Sequence, residues 1–180
     1  MKTVLVAVAA ALVLAGCQRS STVRDTEINR WVLLDGAQLE VRQPLPVRAG
    51  KARVFVQDGT VRGGFNSYDT HCAFEIDSID HDGVTIEPDT FQVVRVQRTV
   101  VQVVQSEPLR VAGPWIVNAG LNGFGSSSYY EGYHFWIHSE RQPAVMRMTC
   151  FGVYAPPGEL QPPSLEDVRR ALGGLVEIAR

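Results

Sequence analysis

Cys72-Ala-Phe-Glu-Ile-Asp77 and Val145-Met-Arg-Met-Thr-Cys150 are the stretches that decide the fold class. In both, the side chains sort by parity, which is the two-residue period of a strand and not the 3.6-residue period of a helix. Cys72, Phe74 and Ile76 share one face, against Ala73, Glu75 and Asp77 on the other. Met146, Met148 and Cys150 likewise share a face opposite Arg147 and Thr149. If the two segments run antiparallel with the cysteines opposed, Phe74 meets Met148, Ile76 meets Met146, and Glu75 meets Arg147 on the polar face. Opposite charges then face each other, as cross-strand pairing prefers. A parallel register sets Phe74 beside Gly152 and Glu75 beside Val153, a poorer match.

The same period extends outward from this pair. Residues 31–34 and 38–42 flank Asp35-Gly36, a hairpin signal, and residues 52–57 and 60–62 flank Asp58-Gly59, a second one. Pro44 and Pro46 interrupt pairing and favour an extended or edge segment. Further strand candidates are 84–86, 109–111 and 133–139. Residues 91–105 exceed a typical strand. Val93-Val94 and Val100-Val101 also break the alternation, so a bulge or bend is expected near Arg98-Thr99. After Pro162-Pro163, Ser164 with Asp167 three residues on forms a capping box, and Leu165, Val168, Leu172 and Leu175 follow at the spacing of one helical face. Gly173-Gly174 is expected to stop that helix and leave residues 175–178 as a short strand. The sum is a mainly β chain: an antiparallel β-sandwich or open barrel with a C-terminal helix.

The chain has 180 residues and a formal charge of −2, with no basic stripe, so nucleic acid is not an expected partner. Its beginning carries a different signal. Lys2 precedes eleven apolar residues, 4–14, too few to span a bilayer as a helix. Leu14-Ala15-Gly16-Cys17 follows and resembles the lipobox of bacterial lipoproteins. The resemblance implies a signal peptide over 1–16, cleavage before Cys17, and lipid on that residue. Several acyl chains would hold the protein stably to a membrane, each buried methylene contributing roughly 0.8 kcal/mol. Gln18, where many inner-membrane lipoproteins have Asp, favours the outer membrane with the domain facing the periplasm. Residues 17–30 lack an apolar period and read as a flexible tether, which leaves 31–180 as a single β-rich domain.

Lipidation of Cys17 would leave Cys72 and Cys150 as an even pair in an oxidising compartment, and a disulfide between them is the expectation. The remaining candidates are weaker. His134 and His138 lie four apart, but on a strand that spacing is roughly 13 Å, too far for two ligands of one zinc ion. His71 and His81 sit beside turn residues. Glu75, Asp77, Asp80 and Asp82 do not reproduce an EF-hand loop, and no Gly-x-Ser-x-Gly elbow occurs. No metal or cofactor is expected. The Gly120–Gly132 segment combines glycines with serines and tyrosines. Asn122, Phe124, Tyr129, Tyr130 and Tyr133 are therefore the candidate contact surface for an envelope protein or glycan.

Residues 44–59 and Tyr68-Asp-Thr-His-Cys-Ala-Phe-Glu75 are similar to a group of small proteobacterial lipoproteins of uncharacterised function. The resemblance covers about a third of the mature chain and implies an anchored β domain, with no activity or site residues. The expected role is noncatalytic: binding an envelope component or supporting an envelope complex. Two alternatives are an envelope hydrolase built around His134 or His138 with Glu131 or Glu140, and a small-ligand carrier with an apolar cavity.

Overall fold

A computed structural model describes residues 22–26, 30–34, 36–104 and 128–179. The fold is mainly β, with a curled antiparallel sheet forming a half-barrel and a C-terminal helix, the open-barrel form of the two expected architectures. The strands in chain order are β1 (Thr22–Asp25), β2 (Arg30–Leu33), β3 (Gln38–Val41), β4 (Leu45–Val47), β5 (Lys51–Gln57), β6 (Thr60–Arg62), β7 (His71–Asp80), β8 (Val84–Ile86), β9 (Asp89–Val104), β10 (Ser128–His138) and β11 (Val145–Phe151). Helix α1 (Leu165–Leu172) and strand β12 (Val176–Ala179) follow. The main sheet has eight strands in the order β12-β3-β9-β10-β11-β7-β5-β6, and β1-β2 and β4-β8 form two small two-stranded sheets.

The cysteine-bearing strands pair as their parity requires. β11 and β7 are antiparallel, with Cys150 opposite Cys72, Met148 opposite Phe74 and Arg147 opposite Glu75. The disulfide Cys72–Cys150 is present, and both residues are fully buried. One expected pair fails: a register shift makes Val145, not Met146, the partner of Ile76, and Met146 is only half-buried. Val145 takes the core position that strict alternation reserves for Met146.

β9 runs unbroken through Arg98-Thr99, so the bulge expected there is absent. Irregularities fall instead at Val94 and Val103: Trp136 and Ile137 oppose Arg95 and Val93, and Ser128 and Tyr129 oppose Val104 and Gln102. Val94 is the residue left over, and it is exposed. Phe91, Val93 and Val96 can therefore all face the core although their spacings are two and then three.

The two hairpin signals part company. At Asp58-Gly59 both residues have positive φ (53° and 66°), as a type I′ turn requires, and Gln57 pairs with Thr60. At Gly36 (φ 80°) the chain does turn, but β2 pairs with β1, and β3 pairs with β9 and β12. The turn links two sheets. Pro46 lies in the short extended segment β4, paired with β8.

Two expected loops are strands. Residues 22–25 of the presumed tether form β1, whose Val23 is fully buried in the core. Its isolated apolar residue docks on the domain, so ordered structure begins well before residue 31. Residues 128–132 of the glycine-rich segment belong to β10, and Gly132 sits opposite Phe151, where a Cβ would collide with the Cys150 carbonyl oxygen. Residues 109–111 lie outside the described residues.

The C-terminal reading holds. Ser164 Oγ accepts from the Asp167 backbone N–H, and Asp167 returns a bond to the Ser164 N–H. Gly173 ends the helix with φ 56°, and β12 pairs with β3. Leu165, Val168 and Leu172 pack into the core with Val54, Val56 and Phe74.

Candidate binding cleft and the polar face of the sheet

At the β6 edge of the sheet an open cleft of about 750 Å³ is lined by Pro46, Arg48, Lys51, Ala52, Arg53, Val54, Phe55, Val61 and Arg62. Strand alternation places Ala52, Val54 and Val61 on one face and Lys51, Arg53 and Arg62 on the other. Val54 is buried in the core while Ala52 and Val61 are partly exposed, so the cleft wraps the free edge of the sheet, with the cations on its other face. Arg48 reaches across from the end of β4 to Gly63, where a methyl group would meet its guanidinium at 2.5 Å. All four cationic side chains are exposed. Among the described residues Arg62 has one loose partner, Asp58 at 3.7 Å, and Arg48, Lys51 and Arg53 have no carboxylate within ion-pair reach. An apolar lining edged by unneutralised cations suits a ligand with an anionic group and an apolar body.

Composition conceals this site because it gathers residues from three short segments in a chain of net negative charge. A local signal exists. Lys51 and Arg53 share a strand face, and the Asp58-Gly59 turn folds Arg62 back opposite Phe55.

On the polar face of the sheet a single row crosses five strands: Arg53, Glu75, Arg147, Trp136 and Arg95 stand opposite one another in turn. Arg147 holds the buried Glu75 through Nε at 3.1 Å and Nη2 at 2.8 Å. The guanidinium carbons of Arg95 and Arg147 lie 5.1 and 5.2 Å from the Trp136 ring centroid, within cation–π range.

His134 occupies the next row. Its Nδ1 lies 2.8 Å from Thr149 Oγ1, which lies 3.0 Å from Glu75 Oε1. A carboxylate can only accept, so the hydroxyl donates to Glu75 and accepts from His134, which places the imidazole proton on Nδ1. Burial lowers the His134 pKa, the Arg147 charge lowers it further, and Glu75 opposes both. Thr149 is only 3 % exposed and Glu75 is buried, while the His134 ring is partly exposed.

The other sequence candidates scatter. Glu131 shares a face of β10 with Tyr133, opposite to that of His134, and pairs there with Arg98. His138 is exposed at the end of β10. The pairing of His134 with Glu131 is thus replaced by His134–Thr149–Glu75. His71 is no loop residue: it opens β7, is 2 % exposed, and stacks on Phe65 at 3.8 Å. Burial lowers its pKa, against a smaller opposing effect of the Asp69 carbonyl. Asp77, Asp80 and Asp82 are exposed, while Glu75 is buried. Among the described residues no three His, Cys, Asp or Glu side chains gather closely enough to hold a metal ion.

The tyrosine-rich contact surface needs correction. Tyr133 is fully buried and Tyr130 is 5 % exposed, because the alternation of β10 turns the first into the core and packs the second against Phe151, His71 and Tyr154. Tyr129 is half-buried, and Asn122 and Phe124 lie outside the described residues. Family models, curated proteins and solved structures contain no match to this chain.

Proposed function

We propose that this chain is a lipid-anchored envelope lipoprotein, attached through Cys17 at the periplasmic face of the outer membrane, with a noncatalytic binding role. Its ligand is an envelope component that joins an anionic group to an apolar portion. The observation that carries the reading is the cleft at the β6 edge, where Arg48, Lys51 and Arg53 have no carboxylate partner among the described residues and lie near the partly exposed Ala52 and Val61. A phosphate or carboxylate head would meet the cations, while a short apolar portion covers the lining. The lipobox-like Leu14-Ala15-Gly16-Cys17 supports the anchor, and the Cys72–Cys150 disulfide fits an oxidising compartment.

Isothermal titration with monomeric octyl phosphate, against octyl glucoside as the uncharged control, tests the binding role. The phosphate should bind more tightly, lose affinity as salt rises, and weaken about tenfold or more in R48Q/R53Q, given charge-assisted bonds of about 1.5–3 kcal/mol each. Equal binding of both amphiphiles, or an unchanged affinity in the variant, would overturn the cleft assignment.

A further inference from the structure

We infer that the domain rests on the membrane surface through the end of the sheet that carries Phe65, Tyr68 and Val153, an inference that depends on the lipid anchor proposed at Cys17. The spacing from anchor to domain is short. Thr22, where β1 begins, stands five positions after Cys17, a span of at most about 18 Å even fully extended. β1 itself is fixed to the domain. Val23 is fully buried, the Arg24 N–H donates to Tyr133 Oη at 3.4 Å, and the Arg24 guanidinium donates to Gln161 Oε1 at 3.3 Å.

Exposed aromatic and apolar side chains stand near that attachment point, beside the carboxylates of Glu159 and Asp167. Arg24 lines a hollow of about 360 Å³ together with Thr70, Gly152, Val153 and Tyr154. Tyr68 packs against Tyr154 with ring centroids 6.3 Å apart, and the Tyr154 N–H donates to the Ser67 carbonyl. Phe65 joins the same group through Tyr130, at 5.9 Å. Of these, Tyr68 is 70 %, Val153 48 % and Phe65 40 % exposed. Tyrosine, with an apolar ring and a polar tip, suits the headgroup level of a bilayer. Asp58, Asp69 and Asp167 line an adjoining hollow with Arg170. Contact therefore draws on apolar and aromatic burial among zwitterionic lipids, not on attraction to anionic ones. At the far end of β7, exposed Ile79 is flanked along the chain by exposed Asp80 and His81 and has no aromatic neighbour in that stretch.

The test uses the full lipidated protein in phosphatidylcholine vesicles, with photoreactive benzoylphenylalanine placed at position 68 or at position 81. Tyr68 precedes β7 and His81 follows it, so the two positions lie beyond opposite ends of that strand, and both are exposed. Irradiation should give lipid adducts at 68 severalfold above those at 81. Vesicle-bound protein with adducts at neither site, or equally at both, would overturn the docking and leave the anchor standing. Protein that does not float with vesicles, and whose mass shows an unmodified Cys17, would overturn the anchor and the docking with it.

Discussion

Removing the Cys72–Cys150 bridge in a C72A/C150A variant is the perturbation whose size follows most directly from the structure. The bridge joins β7 to β11 across 78 positions of sequence. Closing a loop of that size removes unfolded-chain entropy worth about 4.5 kcal/mol at 25 °C on the chain-entropy model. In the folded state the two strands still share their ladder, with Met148 opposite Phe74 and the Arg147–Glu75 pair beside it. The variant should therefore keep the native sheet while losing stability. Against a typical total of roughly 5–15 kcal/mol the loss is large. At roughly 2–4 °C per kcal/mol for a domain of this size, the melting temperature should fall by about 9–18 °C. Differential scanning calorimetry measures the shift, with the intact protein scanned in reductant as a parallel arm that should fall by a similar amount. Far-ultraviolet circular dichroism checks that the sheet persists below the transition. A fall of about 2 °C or less in both arms would refute the reasoning, because the loop would then impose no constraint that the unfolded chain lacks.

Two further outcomes follow from particular contacts. Gly132→Ala puts a methyl group into the Cys150 carbonyl and within 2.8 Å of the Phe151 Cα, backbone that cannot swing aside; urea denaturation should show a loss of about 1–3 kcal/mol, and a midpoint equal to that of the parent would show that β10 and β11 can separate freely. His71 and His134 both have pKa values lowered by burial from the usual 6.5. The folded state disfavours their protonation, so their contribution is fully present above about pH 6.5 and is lost as pH falls toward their folded values. Urea midpoints should fall between pH 7.5 and pH 5.5, and a flat profile would contradict the burial of His71 and the partial burial of His134.

Legibility in the sequence followed the range of the forces involved. The parity of residues 72–77 and 145–150 fixes which side chains share a face, so the Cys72–Cys150 register and the Arg147–Glu75 pair could be read directly. Ser164 with Asp167, and Gly173 after Leu172, act within one or two turns of chain and were equally plain. The Asp35-Gly36 signal is just as local, yet it says only that the chain turns and not which strand lies beyond the turn. The place of the Val94 bulge is not legible locally, because Val93-Val94 and Val100-Val101 break the alternation alike and only packing chooses between them. Burial of Val23, Tyr130 and Tyr133 depends on partners far along the chain, which no window of sequence contains. The cleft failed to show for the same reason: Arg48, Lys51, Arg53 and Arg62 are an unremarkable scatter until β5 and β6 fold back on each other.

The place of β12 in the sheet has a consequence for the order of events during biogenesis. β3 needs two neighbours, and one of them is supplied by residues made very late: Val41 waits for Val176, 135 positions downstream. Hydrogen bonds spanning such separations form slowly, since long segments must be gathered before any contact rewards them. A ribosome-borne or translocating chain thus carries an unfinished sheet edge until nearly all of its described length has emerged. Until then the β3 edge facing β12 stays open to any other extended segment, so pairing there is settled last.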